Sequence, residues 1–183
     1  MDRVVLASRN PHKLEELRAL LPGWPLEPIA AELPPETGET YDENARAKAA
    51  FAWRPGSWAL GEDSGIEVDA LGGGPGIRSA RYAEDPVAQL LADLEGVAGR
   101  EARYVCELVL LTPQGEELQG SGVLMGHIAR KARGSEGFGY DPVFVPAGEE
   151  RTVAELGNEW KREHSHRAVA ARALREAGDV VGA

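Results

Sequence analysis

The stretch SWALGEDSGIEVDALGGGPGIRSARYA, residues 57–83, sets two adjacent acids, Glu62 and Asp63, behind an apolar run. WALGED reads as a strand that ends in those acids. GIEVDAL reads as a second strand, half exposed to water, in which Ile66, Val68 and Ala70 alternate with Glu67 and Asp69. Like charges side by side repel, and a dry site stabilises neither. Either the pair forms a solvated turn or a cation sits there. GGGPG, residues 72–76, reads as a flexible loop and by itself names no motif.

Upstream, RVVLAS at 3–8 is a short buried strand. Asn10 then caps a helix whose first residue is Pro11 and whose apolar face carries Leu14, Leu17, Leu20 and Leu21. Pro22-Gly23 stops it. A strand, a tight turn and a helix N-terminus make a ready anion site, and Lys13 lies in the first turn. ELPPETGET at 32–40 is a loop, and Thr40 with Glu43 has capping-box spacing. The helix that follows runs to Pro55-Gly56 and puts Asn44 and Lys48 on one face. DPVAQLLADLEGV, 85–97, is an Asp-capped helix. ARYVCELVLLTP and LQGSGVLMGHIA, joined by a QGEE turn, read as an antiparallel pair. GSEGFGYDPVFVP, 134–146, is a Gly-rich loop entering a strand, and a long helix after Ser165 closes the chain. The fold predicted is α/β with a mixed sheet flanked by helices. No repeat or linker divides it, so residues 1–183 read as one domain.

With 43% apolar residues the chain can form a core, yet no run approaches the roughly 20 residues of a membrane span. The apolar run in MDRVVLASRN is too short for a signal peptide. The single cysteine, Cys106, sits in an apolar strand and reads as a core thiol. One cysteine makes neither a disulfide framework nor a Cys-based zinc site. These features fit a cytoplasmic protein. The net charge is −10, and positive charge gathers only at Arg130-Lys131 and in KREHSHR, 161–167. That balance argues against a grip on nucleic acid. A small anion held by a few local cations, with or without a metal, stays open.

Glu36, Glu39, Glu62 and Asp63 are hard oxygen donors of the kind Mg²⁺ takes, one or two carboxylates with water and phosphate oxygens for the rest. Lys13, Lys48, Lys161 and Arg167 each lie near a turn or cap. His164 and His166 flank Ser165 at a spacing that does not converge on a helix, so HSH is not a zinc pair. In GFGYD, 137–141, glycines allow a ligand to approach the backbone, Phe138 and Tyr140 offer a stacking face, and Asp141 is an acceptor. Against each stands a plainer reading: solvated loop charges, surface lysines, a turn with core aromatics.

Taken in order, SRNPHK, ETGETYDENARAKA, GEDSGIEVDALGGGPGIRSARY, GFGYDPVF and KREHSHR closely resemble the inosine/xanthosine triphosphate pyrophosphatases, over residues 3–177. The resemblance implies an elongated two-lobed α/β fold, a central mixed sheet with the active site in the cleft between lobes, and a homodimer. It implies Mg²⁺-dependent hydrolysis of ITP, dITP and XTP to the monophosphate and pyrophosphate. Carried over residue by residue, Ser8, Asn10 and Lys13 hold the triphosphate. Arg9 stands beside them where relatives often have Gly, and Lys48 is a helper. The metal acids are Glu36 and Asp63, with Asp63 also the general base and Glu62 and Glu39 further ligand candidates. Ser64 touches substrate, and Phe138, Gly139, Tyr140, Asp141, Lys161, His166 and Arg167 form the base and sugar pocket. Arg167 and Lys161 donate only, which suits a 6-oxo purine over adenine. The rival readings are a pyrophosphatase for pyrimidine or methylated nucleotides, a catalytically silent nucleotide binder and a nucleic-acid module.

Overall fold

The computed structural model describes residues 1–181. Strand β1, Val4–Leu6, leads into helix α1, Pro11–Leu20, through the cap read from the sequence: the Asn10 side chain accepts the His12 N–H at 3.0 Å and the Lys13 N–H at 3.4 Å. Leu17 and Leu21 are buried, with Leu14 and Leu20 packed beside the core. A short strand not read from the sequence, β2 at Leu26–Pro28, pairs with β1 in parallel. Helix α2, Tyr41–Ala52, starts at Thr40, whose hydroxyl accepts the Glu43 N–H at 3.1 Å. The Glu43 carboxylate reaches back to the Glu39 N–H at 2.6 Å, one residue earlier than a capping box would place it.

The stretch around the acids differs from the sequence expectation. It forms one strand, β3, Trp58–Val68, and Glu62 and Asp63 lie in its middle, both buried. A strand tolerates two adjacent buried carboxylates only when cations meet them. Gly61 admits the helix that brings one of those cations: a Cβ there would lie 1.9 Å from the Ala45 carbonyl of α2. After a cis Gly74–Pro75 bond and short 3₁₀ turns comes α3, Pro86–Asp93, capped by Asp85 and shorter than its sequence pattern.

Strands β4, Glu101–Leu111, and β5, Glu117–Ile128, are neighbours joined by a turn in which Thr112 donates to Glu116 O at 2.9 Å. Strand β6, Phe144–Pro146, pairs antiparallel with β5, while β1 pairs parallel with β3. The sheet order is β2-β1-β3-β4-β5-β6, a mixed sheet. Helix α4, Val153–His164, was not read from the sequence, although Thr152 and Glu155 form a full capping box at its start. Gly157, at φ 88°, interrupts it. Only Ser165 separates it from α5, His166–Val181.

The chain forms two compact units. Unit 1 comprises residues Met1–Asp63, Cys106–Gly122 and the chain from Arg167 on, with a core that includes Leu6, Leu17, Leu60, Leu108 and Leu174. Unit 2 comprises Ser64–Val105 and Val123–His166, with a core that includes Ile66, Leu90, Tyr104, Ile128 and Phe144.

Candidate active site

In unit 1, β3 presents its two acids to different partners. The Asp63 carboxylate accepts the Asn44 amide at 3.1 Å and the Lys48 ammonium at 2.9 Å, so one helix turn of α2 supplies both donors. The same Lys48 ammonium pairs with Glu36 and donates to the Glu62 carbonyl at 3.1 Å. Glu62 accepts Lys13 Nζ at 2.6 Å on one oxygen, and Arg167 Nη2 at 3.0 Å and Nε at 3.3 Å on the other. The remaining Arg167 terminus, Nη1, pairs with Glu16 of α1 at 2.5 Å. Ser8 is buried, and its hydroxyl accepts the Asn10 N–H at 3.2 Å. Arg9 is exposed.

The neighbouring acids differ in their proton affinity. Burial would raise the pKa of Glu62, but the charges of Lys13 and Arg167 overcome it and hold the group well below the usual carboxylate range. For Asp63, burial wins against Lys48, and with Glu36 and Glu62 nearby its pKa rises. Two carboxylates whose environments push their pKa values apart are suited to different roles. Glu62 is a fixed anion, and Asp63 is the one better able to accept a proton. Burial lowers the pKa of Lys48, but Asp63 and Glu36 raise it further, so the ammonium is retained. Burial and then Glu62 push the Cys106 thiol up, which makes it a core residue and not a nucleophile.

In unit 2, Asp141 is the organising acid. It accepts Lys161 Nζ at 2.6 Å and the Phe138 N–H at 2.9 Å on one oxygen, and the Tyr104 hydroxyl at 3.2 Å on the other. Lys161 Nζ also lies 4.9 Å from the centre of the Phe138 ring. His166 stacks on Tyr104 with ring centroids 4.5 Å apart. Gly137 is required beneath this arrangement: at φ 77° it would place a Cβ 2.1 Å from an Asp141 oxygen. Of the two aromatics, Phe138 is half-buried, whereas Tyr140 lies in the core and donates its hydroxyl to the Ser79 carbonyl at 2.9 Å. Gly139 is exposed, and Ser64 follows Asp63 half-buried on β3.

The residues expected from the sequence therefore fall into two sets. Glu36, Lys48, Asp63 and Asn44 converge, as do Lys13, Glu62 and Arg167, while Phe138, Asp141 and Lys161 meet in unit 2. Arg167, expected as a donor in the base and sugar pocket, donates to Glu62 and Glu16. Glu16 was missed, although its place one turn after Lys13 on α1 was a signal. Tyr104 was missed because nothing in a strand sequence points to a residue 37 positions away. Among the described residues no group of three or more His, Cys, Asp or Glu side chains is arranged to hold a metal ion. What exists is a pair of carboxylates, Glu36 and Asp63, on one ammonium.

The Ham1 family model matches residues 4–177. A dITP/XTP pyrophosphatase of Symbiobacterium thermophilum is 48% identical over 177 residues, covering 90% of this chain and 89% of that protein. Another from Gloeobacter violaceus is 44% identical over 185 residues, covering 95% and 93%. The structure of the Staphylococcus aureus Ham1 protein is similar with a TM-score of 0.86 at 34% identity, covering 98% of this chain and 99% of that one. The similarity extends across the residues of both clusters, and the chain belongs to the Ham1 family.

Proposed function

We propose that this chain is a dITP/XTP pyrophosphatase. It hydrolyses dITP, ITP and XTP to the monophosphate and pyrophosphate and so clears these nucleotides from the pool. The observation that carries the reading is one ammonium, Lys48, bound by both Glu36 and Asp63 in a chain of this family.

Ser8, Arg9, Asn10 and Lys13 bind the triphosphate at the start of α1, where backbone N–H groups and the helix dipole favour an anion. Glu36 and Asp63 suit magnesium: they are hard oxygen donors, two in number, and they already meet one cationic group. Glu39 is a further candidate ligand, and Glu62 is a poorer one because its oxygens serve Lys13 and Arg167. When bound, Mg²⁺ supplies charge neutralisation and polarisation of phosphate oxygens. Asp63 orients the attacking water and takes its proton, helped by a pKa raised through burial. Asn44 fixes the Asp63 carboxylate by donating to it. Lys13 and Lys48 offset the charge that moves onto the leaving pyrophosphate.

The base and sugar are read by the second set, with Ser64 touching the substrate beside Asp63. Phe138 stacks on the purine, and Gly139 leaves the backbone open to it. Tyr140 supports the loop from the core, and Asp141 holds Lys161 in place. Lys161, His166 and Arg167 recognise the 6-oxo edge. For Arg167 this requires exchanging Glu16 or a Glu62 bond for the base. A site built on such hydrogen bonds discriminates by roughly 10⁴. The chain works as one domain in a cytoplasmic homodimer, without nucleic acid or membrane partners. Among the described residues no helix is long and apolar enough to cross a membrane.

The test is pyrophosphate release from ITP, XTP, GTP and ATP in parallel, with Mg²⁺ and with EDTA. Metal-dependent release from ITP and XTP, far ahead of GTP and ATP, is expected. Release from none of them would refute the activity.

A further inference from the structure

The Arg130-Lys131 pair, one of the few concentrations of positive charge in the sequence, has no part in the proposed hydrolysis. It lines a cavity of about 590 Å³ in unit 2 together with Arg100 and Arg133. Glu149 and Glu150 are the acids of the lining. Four cations against two acids is the reverse of the balance of the whole chain, which carries −10.

Arg100 is the informative member. It is 9% exposed, and its guanidinium donates to three backbone carbonyls: Ile128 at 2.7 Å, Leu94 at 2.8 Å and Ala129 at 2.9 Å. These carbonyls accept three of its N–H bonds but, being neutral, bring no compensating negative charge. Burial, and then the neighbouring Arg130, push its pKa down, as expected for a cation held among cations. Arg133 is partly compensated, by Glu155 at 3.2 Å, and it donates to the Glu150 carbonyl at 2.9 Å. Arg130 and Lys131 are exposed on the same lining. Ile128 and Val145, both buried, back the wall of the cavity.

We propose that this cavity is a binding site for a small phosphate-bearing anion, separate from the residues assigned to hydrolysis. Guanidinium forks match phosphate geometry, and an anion among these four cations would relieve their mutual repulsion. The volume lies within the range of small-molecule sites of roughly 300–1,000 Å³, which leaves room for a group attached to the phosphate. The proposal does not depend on the pyrophosphatase reading, since it concerns binding alone.

The experiment is a calorimetric titration of the full chain with inorganic pyrophosphate in EDTA, and separately with inosine monophosphate. It is done on the wild type and on the Arg130→Ala/Lys131→Ala double variant. Both substitutions are at exposed positions, and ITP turnover of the double variant should match the wild type. The wild type should bind at least one phosphate-bearing ligand per chain, and in the double variant one site should weaken by at least about tenfold, as expected for the loss of charge-assisted hydrogen bonds. Tighter binding of the monophosphate at that site would identify a nucleotide, and binding of pyrophosphate alone an inorganic anion. Identical stoichiometry and affinity in the wild type and the double variant would overturn the proposal.

Discussion

Replacing Glu62 by Gln is the most demanding test of how β3 carries its acids. The side chains of Glu62 and Arg167 are 0% and 2% exposed, and three bonds at 2.6, 3.0 and 3.3 Å join Glu62 to Lys13 and Arg167. The glutamine keeps the shape but removes the charge, and its amide nitrogen would face a donor, Lys13 or Arg167. Arg167 keeps Glu16, while Lys13 loses its partner in this network. Breaking a buried pair from one side costs about 3–5 kcal/mol. For a chain of this size that corresponds to a fall in Tm of roughly 6–20 °C. Thermal and urea unfolding followed by circular dichroism measure it. The pH dependence gives an independent check. The folded pKa of Glu62 lies below its unfolded value, so its contribution is complete above the ordinary carboxylate range and declines as pH falls through the folded value. The gap between wild type and variant should therefore stay constant between about pH 7 and pH 5 and narrow only below about pH 4. A loss under about 1 kcal/mol at pH 7, the size of an exposed pair, would mean that Glu62 is not held as a buried, paired charge.

Asp63→Asn should abolish turnover of ITP while nucleotide binding persists in part, and near-normal turnover would remove Asp63 from its role as base. Asp141→Asn takes the charge from the Lys161 pair and should raise KM for ITP more than it lowers kcat, as steady-state kinetics would show. Gly61→Ala places a methyl 1.9 Å from the Ala45 carbonyl and should destabilise the fold by about 1–3 kcal/mol or more, read as a lower urea midpoint. An unchanged midpoint would mean that α2 does not pack on β3 through that glycine.

Much of the local structure could be read in the sequence because its causes are local. Asn10, Thr40 and Asp85 cap their helices through side chains that reach two or three residues along the chain. The spacing of Asn44 and Lys48 placed both on the face of α2 that meets Asp63. The order of the motif blocks likewise carried the family. The Thr152 capping box is equally local, with Thr152 and Glu155 at capping-box spacing ahead of NEWKREH.

What tertiary structure alone decided is the environment of the acids. By local rules two adjacent carboxylates should end a strand, and instead β3 runs through them. The cations that make this possible come from 15, 49 and 105 residues away, as Lys48, Lys13 and Arg167. Compensation of buried charge depends on distance in space, and no periodicity or composition encodes which distant lysine or arginine will arrive. The same reason explains why Glu62 proved to be the centre of an ion network and why Arg167 is committed to two acids. The sequence supplied the chemical groups, and the fold assigned their partners.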